Sequence, residues 1–403
     1  MTNYIALAVP FFFILIGIEL WFARRKGQRV YRLTDTLIDL SSGTLMQVMQ
    51  IFAAAGLLAV YAALYQHRFV SFELSNPVPW LLAFFGYDLS YYVWHRLSHR
   101  VNLLWASHVT HHSSEEYNLS VALRQSVTSS FTSLPFSIWL ALCGVPVVVY
   151  ATIASFSLLY QFWIHTDLIG KLGWFEKLFN TPSQHRVHHA INPRYLDKNY
   201  AATLCIWDRM FGSFEEETEE PVYGLVKPLG SFQPLWVQFH RYWEVLVLSV
   251  RAPALVDKVK VWFKGPEWSV PGLPPLPHAP EVTRATRAKY DPQTTAPLRR
   301  YLFLQLAVTM TGAFFLILLQ NKLPMDIVIG GSVLVVMTTV SWGALIERRS
   351  WAMGFELVRL ALLAGGGLWM VHGTVFALFP LVLAIGMGAL LMTTREPMVT
   401  EAV

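Results

Sequence analysis

Long apolar runs broken by short charged turns dominate the chain. The first covers about Tyr4 to Phe22 and ends in Arg24, Arg25 and Lys26, with Arg29 and Arg32 close behind. A membrane-spanning helix needs about 20 mostly apolar residues, so this run reads as a retained anchor rather than a cleaved leader. Cations collect on the cytoplasmic side, which puts the N-terminus outside and the basic loop inside. A second run, about Gly43–Tyr65, crosses outward; a third, about Val78–Trp94, returns and continues as helix into His95 and His99. A hairpin of about Val127–Cys143 and Val147–Trp163 turns at Gly144–Pro146. After a polar stretch come runs of about Tyr301–Gln320, Met325–Leu345, Phe355–Val375 and Leu378–Met392, with Glu347–Arg349 and Arg395 falling on the cytoplasmic side. The pattern predicts nine spans and an all-α, polytopic membrane protein with a cytoplasmic helical cap.

Between about Thr166 and Leu298 the chain is mixed and polar. Trp236, Phe239, Trp243, Leu246 and Val250 recur there at steps of three and four. This spacing predicts a helix with one apolar face, suited to a membrane surface or to packing on the cap. Pro266, Pro271, Pro274, Pro275, Pro277 and Pro280 then mark a stiff linker. The expected organisation is anchor helices over 1–75, a metal-binding core over 76–215, an interfacial segment and linker over 216–298, and C-terminal spans over 299–403.

Composition agrees with the pattern. The chain is 54% hydrophobic and 14% charged over 403 residues, against roughly a quarter charged in ordinary soluble domains. Its net charge of +5 reflects cationic loops rather than nucleic-acid binding. Cys143 and Cys205 are the only cysteines, too few for a disulfide framework or a sulfur-rich metal site. Any metal must be held by nitrogen and oxygen.

Nine of the thirteen histidines lie between His95 and His189, a window of less than a quarter of the chain. His95 and His99 are four apart and share a helical face. His108, His111 and His112 form H-x-x-H-H, and His185, His188 and His189 repeat it. Neutral imidazole suits iron and zinc, and these boxes hold too many rings for one ion and enough for two. His165, at the end of its apolar run beside the boxes, joins the candidate ligands; His67, His240, His278 and His372 read as structural or surface residues. Asp88 and Tyr92 each precede a box histidine by seven residues on the same face, and a carboxylate at the end of a spanning helix is a functional candidate. Glu115, Glu116, Asn118 and Arg124 follow the second box, where polar contacts to a head group or reductant could form. Of these, Glu116 and Arg124 join Asp88 as the candidate catalytic residues. Asp197, Asn199 and Asp208 read as braces, Lys171 and Lys177 as interfacial charges. H-E-x-x-H, phosphate loops and nucleophile elbows are absent.

The run H-x3-H, H-x2-H-H, H-x2-H-H resembles the fatty acid hydroxylase and sterol desaturase superfamily. His95-Arg-Leu-Ser-His99, Leu104-Trp-Ala-Ser-His108, Tyr195-Leu-Asp-Lys-Asn-Tyr200, Ile206-Trp-Asp-Arg-Met-Phe-Gly212, Gly265-Pro-Glu-Trp268 and Lys289-Tyr-Asp-Pro292 are similar to the alkylglycerol monooxygenase branch, over roughly residues 35–292. The resemblance implies that the eight box histidines bind two iron ions, that O2 is the oxidant, and that an electron donor such as tetrahydrobiopterin supplies reducing equivalents. Hydroxylation beside the ether oxygen of an alkylglycerol would yield a hemiacetal that collapses to a fatty aldehyde and a glycerol. The residue after the second histidine, acidic in the branch, is Arg100 here, which bears on reductant and head group but not on the metal site.

Two other readings stay open: a sterol or carotenoid hydroxylase or desaturase of the same superfamily, and, from a different class, a divalent-metal transporter or sensor. Transporter sites sit near the midplane on broken helices, whereas these boxes project from cytoplasmic helix ends. Short loops and the lack of retention signals point to a bacterial inner membrane, or to the endoplasmic reticulum in a eukaryotic cell. The expected partners are a lipid, O2 and an electron donor; oligomeric state is not legible.

Overall fold

The structure, a computed structural model, describes residues 4–276, 279–370 and 378–394. Pro277, His278, His372 and Arg395 lie outside that range, as do the last five residues of the expected Phe355–Val375 span. Among the described residues the protein is all-α. Strand-like pairing is limited to two isolated bridges, Phe179 with Leu204 and Ala190 with Tyr223. Two compact units form, one from residues up to 230 together with 235–290, the other from 231–234 together with 291 onward.

The first unit opens with α1 (Tyr4–Arg25) and α2 (Leu33–Tyr65). At 33 residues, α2 is about 50 Å long by the α-helical rise, well beyond the roughly 30 Å of hydrocarbon it would cross. The excess has a use. Leu37, Ile38, Asp39 and Leu40 at its N-terminal end are buried, while Phe52 and Val60 farther along are exposed. The helix therefore starts inside protein and farther along exposes one apolar side, while Tyr61 on the other stays buried and stacked on Tyr150. Gly43 lets it do so, because a Cβ there would stand 2.2 Å from the carbonyl oxygen of Leu123.

Next come α3 (Val78–Arg100), which carries His95 and His99 as one uninterrupted helix, and the short α4 (Asn102–Ala106) and α5 (Val109–His112). The expected Val127–Cys143 span is two pieces, α6 (Ser129–Ser137) and α7 (Trp139–Leu142), with Pro135 inside α6. α8 (Val147–Trp163), α9 (Pro182–His189), α10 (Ile206–Met210), α11 (Pro234–Arg251) and α12 (Leu255–Phe263) follow. The second unit holds α13 (Ala296–Leu319), α14 (Met325–Ile346), α15 (Ala352–Met370) and α16 (Leu378–Met392).

Among the described residues four helices, α1, α2, α13 and α14, are long and apolar enough to cross a bilayer, which makes this a multi-pass membrane protein, with fewer such helices described than the nine expected. The shortfall has physical causes. α6 and α7 are too short, and the 17 residues of α8 reach only about 25 Å. α3 carries Asp88, Ser90, His95 and Ser98 on its buried side. α15 carries Glu356 and Arg359, a buried pair 2.7 Å apart that also binds Ser341.

Candidate metal centre

Each histidine box is positioned by a different device. His95 and His99 ride one face of α3. The second box occupies the single turn of α5, entered through a non-helical His108. The third fills α9, whose first helical residue is Pro182, a residue suited to that position by its fixed φ and missing N–H. Adjacent residues on a helix are about 100° apart, so each His–His doublet splits. His112 and His188 turn toward His95, His99 and His108, while His111 and His189 turn toward His165 and His185.

The outcome is two groups whose ligand nitrogens each lie within 4.8 Å of one another: His95, His99, His108, His112 and His188, and His111, His165, His185 and His189. The rings of His112 and His189 stack at 4.4 Å between centroids, so the groups are neighbours. His165 belongs to the second group on the same geometric footing as the box residues. His240 instead bonds the carbonyls of Trp236 and Val237.

Within the first group, Nε2 of His108 lies 2.8 Å from that of His95 and 3.1 Å from that of His112, and His112 lies 3.1 Å from His188. Within the second, Nε2 of His165 lies 3.2 Å from that of His111 and 3.0 Å from that of His185, which is 3.2 Å from His189. Nitrogens about 2.1 Å from a common ion stand about 3.0 Å apart at right angles. These separations fit that arrangement.

The tautomers sharpen the fit. Nδ1 of His111 bonds the carbonyl of Arg124 at 3.1 Å, and Nδ1 of His165 that of Gln161 at 2.7 Å. A carbonyl only accepts, so both Nδ1 atoms carry the proton and both Nε2 atoms present lone pairs. At 3.2 Å these lone pairs face each other with no hydrogen to share. Protonation would supply one, but burial opposes it, drawing His111 down to about 4 and His165 well below the usual imidazole range. A cation between the rings satisfies both. His95 and His188 are fixed likewise, by the carbonyls of Tyr200 at 2.7 Å and Lys198 at 3.0 Å, and burial holds His188 near 3. Nε2 of His99 is buried and makes no hydrogen bond, as expected of an atom reserved for a metal.

A strained loop supplies two of those carbonyls. Asp197 and Asn199 have φ of 61° and 54°, the left-handed region that non-glycine residues seldom occupy. Asn199 donates to the carbonyls of Gln184 and Glu215 at 3.0 and 2.8 Å, which holds the turn and aims Lys198 and Tyr200 at the rings. Asp208 accepts from the amides of Tyr200 and Ala201 at 2.8 and 2.9 Å. Arg100 reaches Asp197 at 3.2 Å, so the cation at this position bonds the same loop.

The three candidate catalytic residues stand one ring outward. Asp88 accepts from the amides of Thr203 and Leu204 at 3.0 and 3.1 Å and from Trp207 Nε1 at 2.9 Å. Arg124 donates to the Thr110 carbonyl at 2.9 Å and to Ser113 Oγ at 2.8 Å. Glu116 pairs with Arg32 at 2.6 Å and Lys289 at 2.7 Å. Glu115 bonds the Tyr290 amide at 2.7 Å.

Two residues escaped the sequence reading. Asp39 of α2 is fully buried and pairs with Arg124 at 3.0 Å. Glu19 of α1 accepts from the Leu119 amide at 2.8 Å and from Thr166 Oγ1, tying the segment after the second box to the residue after His165. The signal was available: an acid in an otherwise apolar helix is costly unless it faces a partner.

The helices and paired imidazole groups define a class, the membrane oxidoreductases built around histidine boxes, and the fatty acid hydroxylase family profile matches residues 80–213. The alkylglycerol monooxygenase of Homo sapiens is 39% identical over 370 residues, covering 89% of this chain and 81% of its own length. That of Danio rerio is 39% identical over 383 residues, covering 90% and 82%. An ornithine lipid hydroxylase of Rhizobium tropici is 28% identical over 128 residues, or 32% of this chain and 39% of its own length. No solved structure matches. The chain belongs to the alkylglycerol monooxygenase family, and it is a membrane-embedded monooxygenase.

Proposed function

We propose that the nine histidines hold two iron ions and that the protein cleaves alkylglycerol ether lipids with O2 and an electron donor. The first group would hold one ion and the second the other. The opposed lone pairs of His111 and His165 carry the metal part of this reading, because they call for a cation where no proton fits. The ether-lipid part rests on the alkylglycerol monooxygenase relatives. A redox-active metal pair supplies the electron storage needed to cleave O2, which zinc cannot.

The chain's own residues prepare the site. Burial keeps the imidazoles neutral, and the carbonyls of Arg124, Gln161, Lys198 and Tyr200 hold four of the rings in their ligating tautomer. Asp88, Asp208 and Asn199 act by positioning the loops on which those carbonyls sit. Arg124 positions the second box, and Glu116 ties it to Arg32 and Lys289. In balance, an ether R–CH2–O–R′, O2, two electrons and two protons give an aldehyde R–CHO, an alcohol R′–OH and water. A reduced pterin is the donor class the family resemblance favours, and the site is read as opening to the cytoplasm, at a bacterial inner membrane.

The test is turnover of an alkylglycerol by purified protein in lipid nanodiscs with iron, a reduced pterin and 18O2. Label in the fatty aldehyde is the expected result, since the inserted oxygen becomes the carbonyl. Product hydroxylated or desaturated elsewhere, with no aldehyde, would overturn the ether-cleavage assignment in favour of a C–H hydroxylase or desaturase.

A further inference from the structure

α11 and α12 each present two different faces. On α11, Val237, Gln238, His240 and Val245 are buried. Trp236, Phe239, Trp243, Leu246 and Val250 line the other side, with Trp243 57% and Val250 66% exposed. α12 buries Asp257 and Val261 and exposes Leu255, Val256, Val259 and Phe263, the first at 79% and the last at 62%. The two helices pack on each other through a cluster of Val245, Ala252, Val261 and Val270, joined by Trp262 and Trp268. The exposed apolar rows thus belong to one hairpin joined by a shared apolar cluster. Only the α11 row had a signal in the periodicity; the α12 row comes from the structure.

Exposed apolar surface on this scale marks a binding face, and charge and chemistry identify the occupant. Residues 235–264 contain five Lys or Arg and two Asp or Glu. Arg251, Lys260 and Lys264 are exposed beside the apolar rows, and two tryptophans sit among them, a residue favoured at the membrane–water boundary. Tryptophans and aliphatics on one face, with lysines and arginines beside them, describe an amphipathic helix lying in the headgroup layer. The chain is already anchored by spanning helices, so a bilayer surface is at hand.

We infer that the α11–α12 hairpin is a lipid-binding platform that rests its apolar rows in an anionic headgroup layer and seats the histidine centre at that depth. The link to the centre is direct. Thr110 Oγ1, between His108 and His111, donates to the Val237 carbonyl at 3.0 Å. Asn102 Nδ2 donates to the Val261 carbonyl at 2.8 Å, and the Asn102 amide to the Lys264 carbonyl at 2.9 Å. Both helices therefore hold the 102–112 segment that bears the second box, and a membrane-dissolved substrate reaches the site without leaving its leaflet.

Single-cysteine variants at Val250, Val256 and Val259, made in the full chain with Cys143→Ser and Cys205→Ser, test this without reference to catalysis. Each is labelled with a nitrobenzoxadiazole dye in nanodiscs of phosphatidylcholine and phosphatidylglycerol, alongside a control label at the exposed Ala285. Several-fold stronger quenching by nitroxide-bearing lipid, and several-fold weaker quenching by aqueous iodide, is expected at the three platform sites relative to the control. Iodide quenching equal to that at Ala285 would overturn the inference. So would strong dipolar coupling between spin labels placed at Val256, which would assign the face to a second copy of the chain.

Discussion

Removing the Asp39 carboxylate, as in Asp39→Ala, tests how the membrane helix supports the metal centre. Asp39 and Arg124 are both at or below 2% exposure and pair at 3.0 Å. Arg124 also holds the Thr110 carbonyl and Ser113, while its own carbonyl fixes the His111 tautomer. Breaking a buried pair from one side leaves a charge without a partner and costs about 3–5 kcal/mol, a large share of the roughly 5–15 kcal/mol that keeps a domain folded. For a unit of this size the melting temperature should fall by on the order of 10 °C. Loosening a group that orients a ligand typically weakens metal binding by about 10–100-fold, and here the loss should fall on the second group. Thermal unfolding in detergent, with iron per chain measured after dialysis against graded chelators, reads both effects. The double variant Asp39→Leu, Arg124→Met removes the orphaned charge and should regain part of the stability while still binding metal weakly. If Asp39→Ala melts and retains iron like the parent, the coupling from α2 through Arg124 to His111 is refuted.

On the proposed two-iron centre, His165→Ala, which removes one of the four histidines of the second group, should cut iron from two ions per chain toward one by elemental analysis. His99→Ala, one of five in the first, should keep both with weaker affinity. Asn199→Val forces a β-branched residue into the left-handed region and deletes three hydrogen bonds; strain alone costs about 1–3 kcal/mol, and chelator resistance should drop with the melting temperature. Gly43→Ala sets a methyl against the Leu123 carbonyl and should destabilise the first unit by about 1–3 kcal/mol, read as a lower melting temperature. Burial lowers His111 to about 4 and His188 to about 3, below an unfolded imidazole near 6.5. The unfolded chain therefore binds more protons between those values, so metal-free protein should be most stable above about pH 6.5 and lose stability as pH falls toward 4 and then 3.

Much of the candidate site is local in the sequence. The candidate ligands lie in three boxes with helical spacing, and the count of imidazoles there is what leads to the proposal of two ions. The continuation of α3 into His95 and His99 is equally a matter of neighbouring residues, as is the alternation of apolar runs that marks a membrane protein. The partition is not local. Whether His111 or His112 serves a given ion depends on how α5 meets α9, some seventy residues later in the chain, and His165 joins the second group only because the end of α8 arrives beside it. Two of the four carbonyls that hold the rings come from Lys198 and Tyr200 on a strained turn, and Asp39 reaches Arg124 from α2. Periodicity records which side of its own helix a residue occupies. It carries no information about which distant backbone oxygen or carboxylate will be packed against that side, and tertiary structure alone decides this.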